Sequence, residues 1–286
     1  MTDNSPLGPV PGLGYGPPVR AQRILRLGDE GFEPDEAAIA EEVPVAFAYG
    51  GRTHAVMMAT PADLEDLAVG FTISESIVAR ASDITSLDIV RHSRGIEVQM
   101  TIPAEDAERL AERARALSGR TGCGLCGVEA IDDAVRPVRP VDARLRVDAE
   151  ALWRAGAALA GHQPLNLETR TVHAAAWATP DGALGIVRED IGRHNALDKV
   201  IGALARAGTD ASQGFLVVTS RASFELVQKA TVAGVPLLAA VSRPTGLAVR
   251  LAEAAGLTLV SLLRGRTAQV HAHPERISVP LTQEAR

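Results

Sequence analysis

FLVVTSRASFELVQKATVAGVPLLAAVSRPTGLAVRLAEAAGLTLVSLLRGR, residues 215–266, is the stretch that decides the fold. It contains three short, unbroken apolar runs: Phe215–Thr219, Pro236–Ser242 and Leu257–Leu263. Their length and aliphatic content fit strands buried on both faces. Ser220 to Ala233 and Thr245 to Ala255 carry apolar residues at helical spacing, and each segment stops at a glycine, Gly234 or Gly256. Strands alternating with helices predict a mostly parallel sheet covered by helices.

That arrangement has a chemical consequence. The carboxyl ends of parallel strands share one edge, and ligands bind there. Arg221 follows the first strand, Arg243 the second, and Arg264 with Arg266 the third. Ser220 and Thr245 start helices at the same edge, where unpaired backbone amides favour anions. One such arginine is ordinarily a solvated loop charge. Three in successive loops of one edge predict a ligand that carries phosphate.

Upstream, Leu184–Val187 reads as a strand, and Arg188 to Asn195, REDIGRHN, as a polar loop. Asn195 can cap the helix that follows, with Asp198 three residues on. Leu197, Val200, Ile201 and Leu204 form its apolar face, and Gly208 ends it. Gly192 amid charged residues suggests the wall of a site, with His194 able to carry protons near neutral pH. A solvated capping loop is the plainer alternative. His173, followed by three alanines, reads as structural.

The first half has a different order. Val43–Tyr49 and Thr53–Met58 flank Gly50-Gly51 as a hairpin. Thr60-Pro61 offers an N-cap and a first-turn proline to a helix bearing Leu64, Leu67, Ala68, Phe71 and Ile77. Residues 86–91 and 95–102 read as strands, Pro103–Leu117 as a charged helix, and 148–160 as a further helix. The division expected is a Pro/Gly-rich disordered leader over 1–22, a small α+β domain over 23–118, a mobile loop over 119–127 and an α/β domain over 128–286.

The loop holds the chain's two cysteines, in Thr121-Gly122-Cys123-Gly124-Leu125-Cys126-Gly127. A C-x-x-C pair can close a disulfide, supply half a metal site, or carry sulfur or electrons as thiolates. An inert buried cysteine would sit in an apolar run, not among glycines. A zinc knuckle needs four ligands, and no histidine pair at ligand spacing lies nearby. A four-cysteine site shared by two copies of the chain stays open, and with it a homodimer. A thioredoxin-like pair would open a helix directly after a strand, whereas here a helical stretch precedes it. A mobile nucleophilic loop is the leading reading.

Composition narrows the classes. With 46% hydrophobic but only 3% aromatic residues, aliphatic side chains and alanine must fill the core. A net charge of -6 argues against general nucleic-acid or membrane-surface binding. No apolar run is long enough to span a bilayer, and the N-terminus lacks a secretory pattern, so a cytoplasmic protein with reduced cysteines is expected.

Five blocks of the chain together resemble the FdhD family, the formate dehydrogenase accessory sulfurtransferases. They are Thr60-Pro61-Ala62-Asp63-Leu64-Glu65-Asp66-Leu67-Ala68-Val69-Gly70-Phe71, Cys123-Gly124-Leu125-Cys126-Gly127, the run from Arg188 to Lys199, Ser223 to Ala230, and Arg264-Gly265-Arg266. They run in order and in register from about residue 40 to 280. The resemblance implies a C-terminal three-layer α/β domain similar to the cytidine deaminase fold. It does not imply deamination, because the H-x-E and P-C-x-x-C pair of deaminases is absent.

The resemblance also implies a sulfurtransferase that takes sulfur from a cysteine desulfurase as a cysteine persulfide. The sulfur passes to the molybdenum or tungsten bis(molybdopterin guanine dinucleotide) cofactor, bound as a substrate, for the client formate dehydrogenase. By this match the persulfide rides on Cys123 or Cys126, with no tightly held metal. By the match the cofactor's guanine end falls to Leu262, Leu263, Arg264, Gly265, Arg266 and Thr267; Arg221, Arg243 and His194 join them from the strand-edge and loop reading above. A cofactor-binding chaperone without catalysis is the alternative.

Overall fold

The computed structural model describes residues 12–118, 140–141 and 144–279. Residues 1–11 of the expected leader and the cysteine loop at 119–127 lie outside the described residues. The rest of the leader is not a leader. Leu13 N donates to Ser93 O at 3.1 Å, and the Tyr15 hydroxyl donates to Arg91 O at 2.8 Å. From Val19 the chain is a strand, β1 (Val19–Gly28), paired antiparallel along its whole length with β2 (Gly31–Ala40). Proline and glycine stop at Pro18, and the backbone then finds its donors and acceptors in a hairpin, with Arg26 and Asp35 paired across it.

The second hairpin is as expected: β3 (Val43–Tyr49) and β4 (Arg52–Ala59). Gly50 and Gly51 both take positive φ, 56° and 77°, which a two-residue hairpin loop requires and only glycine adopts freely. With β5 (Ser86–His92) and β6 (Gly95–Thr101) these strands form a sheet in the order β4-β3-β6-β5. Helix α1 (Leu64–Ser74) starts later than Thr60-Pro61 suggests, because Asp63 is left-handed at φ 52°. Thr60 is buried and instead clasps the second half of the chain. Its N donates to Asp190 Oδ2, and its Oγ1 accepts from Ile191 N, both at 3.0 Å. Helix α2 (Ala104–Ser118) matches the charged helix expected from Pro103.

The second half continues with β7 (Val147–Asp148), α3 (Ala149–Leu159) and α4 (Pro164–Thr169). Next come β8 (His173–Ala178), β9 (Leu184–Asp190), α5 (Arg193–Arg206), β10 (Phe215–Val218), α6 (Phe224–Val232) and β11 (Leu237–Ala240). The described chain closes with α7 (Gly246–Ala255), β12 (Thr258–Arg264), β13 (Thr267–Ala272) and β14 (Ile277–Ser278). A six-stranded sheet runs β13-β12-β11-β10-β8-β9.

This sheet is mixed rather than mostly parallel. β10, β11 and β12 are parallel neighbours, as their connecting helices require, whereas β8, β9 and β13 enter by hairpins and run antiparallel. Alternation along each strand sorts the core into two layers. Leu216, Val218, Leu238, Ala240 and Leu259 face α5, α6 and α7. Phe215, Val217, Leu237, Ala239 and Val260 face α3, whose Ala151, Leu152, Ala155 and Leu159 cover them. The first layer is continuous with the apolar face of the β3–β6 sheet through α1.

Helices α1 and α5 cross at glycines. A Cβ on Gly70 would lie 1.7 Å from the Asp198 carbonyl oxygen, and one on Gly202 would lie 1.9 Å from that of Asp66. Both obstacles are backbone, so neither can turn aside. Gly202→Ala is therefore expected to cost about 1–3 kcal/mol or more through forced separation of the helices. A urea midpoint equal to that of the unaltered protein would show that the crossing tolerates a methyl group.

Candidate functional site

Three arginines stand bare on the edge where β10, β11 and β12 end. Arg221 and Arg243 each lie three residues beyond their strand, and Arg264 is the last residue of β12; all three are exposed. Among the described residues none of them forms an ion pair. Thr245 caps α7 there, its Oγ1 accepting from Ala248 N at 3.2 Å. The other expected helix start moves: α6 begins at Phe224 behind Ser223, not at Ser220, because the chain bends at Thr219 and Ser220 and stays non-helical through Ser223.

Leu262, Leu263, Gly265 and Thr267 shape the end of β12. Register slips between Ser261 and Arg264, and Leu262 is held at φ 51°, a conformation that a branched side chain rarely takes. Leu263 is buried against α3, and Gly265 turns the chain into β13 at φ 55°. Thr267 Oγ1 donates to Arg264 O at 3.1 Å. Arg266 is not free for a ligand in this structure. Both ends of its guanidinium bind the Glu150 carboxylate, and that bond holds the Glu150 carboxyl below its ordinary range.

A cavity of about 250 Å³ opens beside Arg264, walled by Gly156, Ala157, Ala160, Thr219, Val241 and Leu263. Leu159, Gln163 and Gly265 complete its lining.

The Arg188–Lys199 run does two jobs, and most of it is not a site wall. Arg188 donates to Asp66 Oδ2 from Nε at 2.9 Å and from Nη2 at 2.7 Å. Arg206 donates to Asp66 Oδ1 at 2.5 Å. Glu189 accepts from Leu165 N and Asn166 N, at 2.9 and 2.8 Å, and so caps α4. Burial lifts its carboxyl above the ordinary value. Asp190 and Lys199 pair at 2.8 Å with no exposed side-chain surface. Asn195 lies within α5 rather than capping it; its Nδ2 donates to Met58 O and Asp190 Oδ1 while Gly192 takes the cap position. Asp198 is no capping-box partner either. It accepts from Ser74 Oγ and pairs with Lys229 at 3.0 Å. These residues fasten α1 and the first half of the chain to the second.

Arg193 and His194 are the members that turn to the edge where β10, β11 and β12 end. His194 Nε2 lies 3.5 Å from Ser223 Oγ and 3.7 Å from Glu225 Oε2, beside the loop that carries Arg221. Burial, then the Arg193 charge, pushes the His194 imidazole below its ordinary pKa. His173 opens β8 on the same edge, and the same two causes lower it. Both rings are therefore neutral at neutral pH and able to accept hydrogen bonds. Sequence reasoning missed the nearness of His173 to Arg193 and of His194 to Ser223 and Glu225, because β8, whose pairing with β9 and β10 brings them to one edge, could not be read as a strand.

Among the described residues no group of three or more His, Cys, Asp or Glu side chains is arranged to hold a metal ion. No helix there is long and apolar enough to cross a membrane. Cys123 and Cys126 lie outside the described residues.

Comparison with known proteins bears on the same segments. The model of the FdhD/NarQ family matches residues 40–278. A protein of Xanthomonas oryzae pv. oryzae named sulfur carrier protein FdhD is 52% identical over 241 residues, covering 84% of this chain and 86% of its own. A protein of Cupriavidus necator with the same name is 50% identical over 252 residues, covering 88% and 87%. A crystal structure from Desulfotalea psychrophila, assigned provisionally to a formate dehydrogenase accessory protein, superposes with a TM-score of 0.73 at 23% identity. It covers 92% of this chain and 100% of that one, which establishes a shared fold.

Proposed function

The chain belongs to the FdhD/NarQ family, and from that premise we propose that it is a sulfur carrier for the maturation of formate dehydrogenase. The observation that carries the reading is identity of about half, along most of both chains, to proteins named for carrying sulfur. The C-x-x-C pair supplies the chemistry. A Cys123 thiolate attacks the outer sulfur of a persulfide on a cysteine desulfurase. A sulfur–sulfur bond forms to Cys123, the old one breaks, and the desulfurase thiolate leaves. The cysteine becomes a thiolate again when the sulfur is handed on. Thiolates, not thiols, perform such steps.

The acceptor is the bis(molybdopterin guanine dinucleotide) of the client enzyme, bound as a substrate on the arginine edge. Arg264, Arg221 and Arg243 are exposed cations set among helix N-termini, which suits the phosphates of a dinucleotide. His194 and His173, neutral at this edge, accept hydrogen bonds from its sugar or ring donors.

The test is titration calorimetry with guanosine 5′-diphosphate. Arg264→Ala is expected to weaken binding at least about tenfold, through loss of one charge-assisted contact. Arg266→Ala is expected to do less, because Glu150 already occupies that guanidinium. Equal affinity for Arg264→Ala and the unaltered protein would remove this edge from the reading.

A further inference from the structure

Arg193 is a cation without a partner. Among the described residues its side chain makes no hydrogen bond and no ion pair, and its Nε is buried and unpaired. Only the Nε is sealed from solvent; the Nη groups at the end of the fork remain accessible. Arg188 and Arg206, the arginines on either side of it in the sequence, are both held by Asp66. Arg193 is also the first residue of α5, where the helix dipole opposes a positive charge. A half-buried guanidinium in that position, with nothing opposite it, is costly to keep unless it meets an anion from outside.

Three connections meet around it. His173, the first residue of β8, pairs in register with Asp190, so it stands beside the turn that leads through Gly192 to Arg193. Ala174 is bonded to Thr219 through both its N and its O, which brings the connection after β10 to the same place. That connection carries the exposed Arg221 and ends at Ser223, 3.5 Å from His194. The charged groups that act on the two rings are Arg193 on His173, and Arg193, Glu225 and Lys229 on His194. Lys229 is taken up by Asp198 and Glu75, and Glu225 is engaged by Ser223. Arg193 and the two imidazoles are left over, and each neutral ring keeps one N–H to donate and one nitrogen to accept. A guanidinium fork and imidazole N–H groups, brought together from separate connections, suit a tetrahedral oxyanion, whose oxygens take donors from several directions.

This corner is not the Arg264 end of the edge. The strand order β12-β11-β10-β8 puts two to three strand spacings between them, about 10–14 Å, too far for one diphosphate to touch both. We propose that Arg193, His173 and His194 form a second anion seat, separate from Arg264, that takes a small tetrahedral oxyanion, either a phosphate group or an oxyanion of molybdenum or tungsten. The seat does not depend on the nucleotide reading of Arg264 and stands or falls apart from it.

The experiment follows the imidazole C–H signals of the full chain by NMR at neutral pH. Inorganic phosphate or molybdate is added at constant ionic strength, with chloride as the control. His173→Gln and His194→Gln identify the two signals among those of the seven histidines. Both signals are expected to shift saturably with phosphate or molybdate and not with chloride, and the tighter of the two anions names the source. Arg193→Gln should weaken the binding at least about tenfold, through loss of one charge-assisted contact. It should keep the urea midpoint of the unaltered protein, because the Arg193 side chain holds nothing in the described fold. Arg193→Lys keeps the charge but not the fork, and should bind more weakly than the unaltered protein and more tightly than Arg193→Gln. Arg264→Ala, at the far end of the edge, should titrate as the unaltered protein does. Shifts that saturate with neither anion, equal binding by the unaltered protein and both Arg193 variants, or loss of the response in Arg264→Ala would each overturn the proposal.

Discussion

Cys123→Ala is expected to lose nearly all protein-bound sulfur after incubation with a cysteine desulfurase and labelled cysteine, and to leave formate dehydrogenase inactive. The chain has two cysteines, so at most two sites can hold a persulfide. Cys123 lies between Gly122 and Gly124, whereas Cys126 follows Leu125, and the absence of flanking side chains leaves the first sulfur easier for a second protein to reach. A free cysteine is only a few per cent thiolate near pH 7, and a cation brought close to the sulfur raises that fraction. Cys126 then assists, by resolving a trapped mixed disulfide or by taking the sulfur onward, so Cys126→Ala should retain labelling and lose part of the activation. Mass spectrometry of the loaded protein gives the first readout, a gain of one sulfur atom on the peptide that contains Cys123. Full labelling and activation by Cys123→Ala would move the carrier to Cys126. Full activation by the doubly substituted protein would end the sulfur-transfer reading and leave delivery of an already complete cofactor.

What the sequence disclosed and what it hid follow from the range of the interactions involved. The strands at 215–219, 236–242 and 257–263 were readable because they are buried on both faces and bounded by glycines, and Gly208, Gly234 and Gly256 do take positive φ. The placing of Arg221, Arg243 and Arg264 on one edge followed from that alone. β8 was not readable, because four of its six residues are alanine, which is poor in strands. It is stabilised by its neighbours β9 and β10 and by burial, which are tertiary facts. The polar run at 188–199 looked like a loop because charge usually means solvent. Here most of the charges are paired inside the fold, Arg188 with Asp66, Asp190 with Lys199 and Asp198 with Lys229. Asn195 and Asp198 fit a capping pattern locally, yet both side chains are claimed by distant groups.

Lys199→Met is expected to cost about 3–5 kcal/mol of stability, the range for removing one partner of a buried ion pair. Lys199 and Asp190 have no exposed side-chain surface, and Lys199 Nζ also donates to Thr60 O at 3.2 Å and Glu189 O at 3.1 Å. Methionine matches the length of the lysine stem, so packing survives and the charge is what goes. Asp190 would keep three N–H donors, from Thr60 N, Gly192 N and Asn195 Nδ2. They soften the loss without supplying a counter-charge, which places the effect toward the lower end of the range. Replacing both members, Asp190→Leu with Lys199→Met, should cost less than the sum of the two single changes, because neither leaves a stranded charge. Urea denaturation of the two single variants and the double variant reads all three quantities. A single variant within about 1 kcal/mol of the unaltered protein would show that the pair does not hold the two halves together. The turn from Asp190 through Gly192 into α5 also aims His194 at Ser223 and Glu225. Loosening it should weaken nucleotide binding in the same variant under conditions where it remains folded, so the clasp between the halves and the ligand edge would fail together.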